Sequence, residues 1–188
     1  MNRALVVVDV QNDYFPGGRM PLEGSVEAAR QAGRALTHFR ERGLPVIHVQ
    51  HVSDYHGARF FLPETEGVKI NEAVAPLPGE AVFTKRYPNA FRDTPLLEFL
   101  REHQVRRLVV CGMMTHMCVD ATVRAAFDHG FACILLSDAC ATRSLEYKTV
   151  SVPAGQVTAA FMAALGQVYA KVLDLEEFLA DESTPSEK

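Results

Sequence analysis

The sequence predicts an α/β fold: a three-layer α-β-α arrangement around a six-stranded, mainly parallel, doubly wound (Rossmann-like) sheet. Two observations carry this. Short β-branched apolar runs alternate with segments of helical period along most of the chain. Those runs are apolar almost throughout instead of alternating, as strands covered on both faces are. The 188 residues, 48% hydrophobic and 22% charged, suffice for one domain with a substantial core.

The strands read as 4–10, 45–49, 81–84, 107–112, 131–137 and 170–173. The first helix starts from Ser25 as N-cap, carries Val26, Ala29, Leu36 and Phe39 on one face, and stops at Gly43. A second begins near Thr94, with Pro95 suited to the first helical position, and carries Leu96, Leu97 and Leu100. A third follows Cys118, turns Thr122, Val123, Ala126 and Phe127 to the core, and stops at Gly130. The fourth follows Pro153 and carries Val157, Ala160, Phe161, Ala164 and Leu165. Residues 50–78 have no clear period. Their His51, Tyr55, Phe60, Phe61 and Leu62 suit either a lid folded onto the sheet or an irregular surface loop. Residues 1–180 are expected to form the domain, and the polar stretch 181–188 a solvated tail.

Charge and composition exclude several functions. Nineteen Lys and Arg against 23 Asp and Glu give a net charge of −4 without a basic stripe, which argues against a nucleic-acid partner. The longest apolar runs, 5–8 and 108–111, are far too short to cross a bilayer, so no membrane partner is expected. Asn2 and Arg3 stand directly before a strand, leaving no room for a signal peptide. Four cysteines do not make a disulfide scaffold. The expectation is a cytoplasmic protein acting on a small molecule.

In an open parallel sheet, ligands bind beyond the carboxyl ends of the strands. Three polar residues stand there. The run 5–8 leads into Asp9, the run 81–84 ends at Lys85, and the run 108–111 leads through Gly112 into a turn after which Cys118 opens a helix. Each has a plainer reading taken alone. Asp9 serves equally well to anchor loop backbone, Lys85 as a solvated strand-end lysine, and a lone cysteine as a small buried hydrophobe. Cys111 and Cys133, inside apolar strands, fit that last description, and Cys140 lies near the rim. Together, carboxylate, ammonium and thiol on three neighbouring strand ends make a nucleophilic set. The helix N-terminus and Lys85 are expected to lower the thiol pKa, with Asp9 as proton acceptor and later donor. Backbone N–H groups at the turn could hold an oxyanion.

At these residues the sequence resembles the isochorismatase-like cysteine hydrolases, which include nicotinamidases and carbamoylsarcosine amidohydrolases. The likeness rests on Val8-Asp9-Val10-Gln11-Asn12-Asp13-Tyr14-Phe15, Thr84-Lys85-Arg86-Tyr87-Pro88-Asn89-Ala90-Phe91, the segment 111–122 around Cys111-Gly112-Met113-Met114-Thr115-His116-Met117-Cys118, and Ser137-Asp138-Ala139-Cys140. It covers residues 3 to 175 and implies Asp9, Lys85 and Cys118 as catalytic triad. It further implies a cis peptide at Met113–Met114 and an oxyanion hole from the Met114 and Cys118 N–H groups. Gln11 and Tyr14 fall where the family lines its pocket, and His116 lies in the nucleophile turn, placed for a substrate contact or a structural hydrogen bond. The family is commonly dimeric or tetrameric, so a homodimer or homotetramer is expected, as is the burial of surplus apolar surface on 55–62 and the last helix.

One departure bears on cofactors. Metal-dependent nicotinamidases carry an Asp-x-His pair after the second strand and another His a few residues on. Here His51 replaces the Asp and Ser53 the first His. His48, His51 and His56 could suggest a different site, but residues three apart on a strand face opposite ways. No metal and no cofactor are expected, and nicotinamide is disfavoured as substrate. The leading expectation is metal-independent hydrolysis of an amide or carbamoyl C–N bond through an acyl-thioester on Cys118. Two alternatives stay open: vinyl-ether hydrolysis of isochorismate, which needs no thiol attack, and a redox-sensing thiol protein that reuses the fold.

Overall fold

The computed structural model describes residues 3–183. In chain order its elements are β1 (Arg3–Val8), α1 (Ser25–Glu41), β2 (Val46–His51), β3 (Ala81–Lys85), α2 (Leu96–Glu102), β4 (Arg107–Met113), α3 (Asp120–Asp128), β5 (Ala132–Ala141), β6 (Leu145–Tyr147), β7 (Val150–Val152), α4 (Ala154–Val168), β8 (Lys171–Leu173) and α5 (Leu175–Ser183). Six strands form one sheet in the order β3-β2-β1-β4-β5-β8, and every neighbouring pair is parallel. The chain winds from β1 outward to β3, then crosses to β4 on the other side of β1. The switch between β1 and β4 is where such a sheet opens a crevice at its carboxyl ends.

All six residues of β1 are buried, the apolar run 4–8 together with Arg3 at its start. One face packs Leu5 and Val7 against Leu36 and Phe39 of α1 and Phe178 of α5. The other packs Val6, Val8 and Val110 against Leu100 of α2, Val123 of α3 and Leu165 of α4. Among the described residues, no helix is long and apolar enough to cross a membrane.

Several details differ from the sequence expectation. Lys85 is not on a neighbouring strand end, because β2 separates β3 from β1. Helix α1 starts after a left-handed Gly24, which turns Val26 outward and leaves Ala28, Ala29, Ala32 and Ala35 on the inner face. Phe127 is exposed and packs edge-on against Tyr169. On α4 the inner face holds Ala154, Val157, Met162 and Leu165, while Ala160 and Ala164 are exposed. Helix α5 carries residues 181–183, which had been expected in the tail; the rest of that tail, 184–188, lies outside the described residues. Strands β6 and β7 form a small antiparallel hairpin not expected from sequence.

The segment between β2 and β3 folds down onto the loop after β1. Phe61 is fully buried, with its ring 4.6 Å from that of Tyr14. The buried Asp13 carboxylate accepts hydrogen bonds from the N–H groups of Phe61 (2.6 Å) and Arg19 (3.1 Å). Gly67 passes so close that a Cβ there would lie 2.1 Å from Asp13 Oδ1. Gln11 completes the anchoring: its amide donates to the carbonyls of His51 and Val68 and accepts from the His51 N–H.

Candidate active site

Asp9 is the first residue beyond β1. Its N–H still bonds the Val49 carbonyl at 2.9 Å, but its φ of 50° turns the chain out of the strand and places the carboxylate under the crevice, fully buried. Lys85 is the last residue of β3, and its side chain reaches inward past β2 to lie 2.7 Å from Asp9 Oδ2. Cys118 sits in a single π-helical turn, Thr115–Val119, between β4 and α3. That turn follows Gly112, whose φ is 132° and whose Cβ, if present, would stand 2.0 Å from the Val8 carbonyl oxygen; only glycine lets β4 leave the sheet so close to β1. The Met113–Met114 peptide is cis.

The Lys85 ammonium organises the site. Three atoms crowd its Nζ: Asp9 Oδ2 at 2.7 Å as an ion pair, and His51 Nδ1 at 2.9 Å and Cys118 Sγ at 3.2 Å within hydrogen-bond reach. Burial works against its charge, but Asp9 and Cys118 outweigh that and raise its pKa. The Cys118 thiol goes the other way from the sequence expectation. Burial, then the Asp9 charge, push its pKa well up, and Lys85 only partly offsets them. The resting site is therefore a protonated thiol beside a carboxylate, both touching an ammonium. Burial and Lys85 together hold His51 neutral, with a pKa of about 4.

Asp9, His51 and Cys118 each offer an atom within 4.8 Å of the others, the one such group of potential metal ligands among the described residues. Each of the three residues already has an atom within 3.2 Å of Lys85 Nζ, so an ammonium stands among them where a metal ion would compete with its charge. His48 faces away and bonds Glu80 at 2.9 Å, and His56 is exposed, so the three histidines do not converge.

A cavity of about 190 Å³ opens onto Cys118, lined by Tyr14, His51, Ser53, Tyr55, Phe60, Arg86, Pro88, Met114 and Met117. Of the substrate contacts implied by the resemblance, Tyr14 lies here, its phenol kept neutral by burial and the neighbouring sulfur and carboxylate. Gln11 and His116 do not. Gln11 is spent on the backbone of the folded-down segment, and His116 bonds the Thr142 hydroxyl at 2.5 Å and packs edge-on against Phe161. Sequence reasoning passed over His51 as a member of this cluster. Only the structure shows it: β2 runs two residues further than its apolar stretch suggests and ends in His51, paired in register with Lys85.

Comparison with known proteins identifies the family. The isochorismatase domain model matches residues 3–176. The uncharacterized isochorismatase family protein YddQ of Bacillus subtilis is 52% identical over 179 residues, covering 95% of this chain and 99% of that protein. The crystal structure of an isochorismatase from Pseudomonas putida KT2440 superposes with a TM-score of 0.88 at 38% identity, covering 94% of this chain and 89% of the other. Ureidoacrylate amidohydrolase RutB of Azorhizobium caulinodans is 31% identical over 177 residues, covering 77% of this chain and 78% of its own. With a domain match along nearly its whole length and a relative sharing half its residues, the chain belongs to the isochorismatase family of hydrolases.

Proposed function

We propose that this protein hydrolyses the C–N bond of a small amide or carbamoyl compound, without a metal, through an acyl-thioester on Cys118. The observation that carries the reading is the Lys85 ammonium held between the Asp9 carboxylate and the Cys118 sulfur at the floor of a cavity. The amidohydrolase activity in the name of the RutB relative supports the same bond type.

In this mechanism Asp9 takes the thiol proton as Sγ attacks the carbonyl carbon, so the thiolate exists only as it reacts. The Met114 and Cys118 N–H groups hold the oxyanion. As the C–N bond breaks, Asp9 hands the proton to the departing amine. A water deprotonated by Asp9 then attacks the thioester, releases the acid and restores the thiol. Lys85, 2.7 Å from Asp9 Oδ2, holds that side chain in place while it gains and loses the proton. The vinyl-ether alternative needs free cations for a dianionic substrate, whereas the Arg86 at the cavity is paired with Asp54 at 2.6 Å.

A panel of small amides, ureas, lactams and carbamoyl compounds, assayed for released amine or ammonia with and without chelator, tests the reading. Turnover of at least one compound is expected, unchanged by chelator and absent in Cys118→Ala. Activity that survives Cys118→Ala or disappears with chelator would refute it. We also propose a homodimer or homotetramer, supported by the exposed Ala159, Ala160, Ala163 and Ala164 on an α4 without charged residues and by Tyr147 and Val150 on the hairpin. Sedimentation showing only monomer at micromolar concentration would exclude it.

A further inference from the structure

His51 lies outside the Asp9–Lys85–Cys118 set yet touches it and lines the cavity. An ammonium has hydrogens to donate and no lone pair to accept with, so His51 Nδ1, 2.9 Å from Lys85 Nζ, accepts. A neutral imidazole that accepts at Nδ1 carries its hydrogen on Nε2. That N–H has no partner among the described residues. Lys85 thus fixes the tautomer of a donor left unused at the wall of the cavity.

The rest of the cavity says what the donor meets. Its volume of about 190 Å³ is of the order that admits one six-membered ring. Phe60, Pro88, Met114 and Met117 make its walls largely apolar. The charge in its lining, Arg86, is paired with Asp54, and Lys85 behind Cys118 with Asp9; the exposed Arg143 acts on Tyr14 from outside the lining. The charged and titratable groups that act on His51 are Lys85, Asp9 and Asp54, and burial with Lys85 keeps the ring neutral. A buried donor in such surroundings discriminates strongly, because a ligand lacking the matching acceptor leaves it unpaired.

We propose that His51 is a specificity-determining residue that donates its Nε2–H to an acceptor oxygen or nitrogen on a compact, uncharged, ring-sized substrate. The acceptor stands apart from the carbonyl that Cys118 attacks. This rests on the reading of the cavity as the hydrolytic site and narrows its substrate class.

The test separates binding from turnover. Full-length Cys118→Ala protein is titrated by calorimetry with cyclohexanecarboxamide and with the three tetrahydropyran carboxamides, in which a ring oxygen replaces a methylene at each position. One oxygen position is expected to bind about tenfold tighter than the carbocycle. Adding His51→Asn abolishes that preference, because its amide oxygen still serves Lys85 while no donor remains where Nε2–H stood. Adding His51→Gln retains part of it. Imidazole nitrogen NMR of the unmutated protein gives an answer independent of the variants: an Nε2–H tautomer, neutral down to a pH of about 4. An Nδ1–H tautomer, titration near about 6.5, equal affinity for all four amides, no binding at all, or a preference untouched by His51→Asn each overturns the proposal. Failure of the hydrolase reading looks different: His51-dependent binding with no amide cleaved by the wild type.

Discussion

Lys85 Nζ lies 3.2 Å from Cys118 Sγ, and the thiol it touches is nevertheless harder to ionise than a free cysteine. Dehydration comes first among the causes and the Asp9 charge second; a single ammonium shared with Asp9 does not reverse them. The nucleophile is thus not stored as a thiolate but made by Asp9 at the moment of attack.

Alkylation reports that state directly. Only the thiolate reacts with iodoacetamide. The rate of modification at Cys118, followed by peptide mass spectrometry, is expected to be slow at neutral pH and still rising at about pH 10. A plateau below about pH 8 would show a stored thiolate instead.

A half-buried cluster away from the site is expected to contribute to acid stability. The Glu80 carboxylate accepts from Arg40 at 2.7 and 2.8 Å, lies 2.9 Å from His48 Nε2 and accepts from the Leu77 N–H. Burial opposes its charge, but these partners prevail and bring its pKa from 4.5 to about 2. A carboxylate whose folded pKa is depressed adds stability above its unfolded pKa, and that contribution fades as pH falls toward the folded value. Glu80→Gln is expected to lose about 1–2 kcal/mol in urea unfolding at neutral pH, with the gap to wild type narrowing below about pH 4.5. A gap that does not change with pH would contradict this.

The cavity wall depends on Asp13 and Gly67. A methyl group at residue 67 would stand 2.1 Å from Asp13 Oδ1, the carboxylate whose other oxygen holds the Phe61 N–H. Gly67→Ala is expected to loosen the segment between β2 and β3, raising KM about tenfold and speeding proteolysis within 52–80, with a smaller change in kcat. Unchanged KM and cleavage would show that Phe60 and Phe61 are held by something else.

Much of this was legible in the sequence because it sits where a regular element ends. The run 5–8 into Asp9 and the run 81–84 into Lys85 are readable as strands meeting charges. The reach of Lys85 past β2 was not, since strand order is a tertiary property, and His51 was missed with it. Dehydration of Cys118 likewise depends on the packing of Tyr14 and the segment around Phe61, which no local pattern records. Helix α5 is a different case. Asp174 and Glu177 cap it reciprocally, each side-chain oxygen accepting from the other's N–H at 2.8 and 2.9 Å, a D-x-x-E signal present in the sequence and left unread there. Val26 and Phe127 turned outward because apolar period alone does not fix which edge of a helix meets the sheet.

The central claim is a covalent bond at one sulfur. Wild-type protein mixed with a turned-over amide, quenched in acid within the first turnovers and weighed intact, should carry the mass of the acyl group. Digestion should place that mass on Cys118, and delayed quenching should show it lost as the acid product appears. Turnover with no adduct at any time, together with activity retained in Cys118→Ala, would contradict the account.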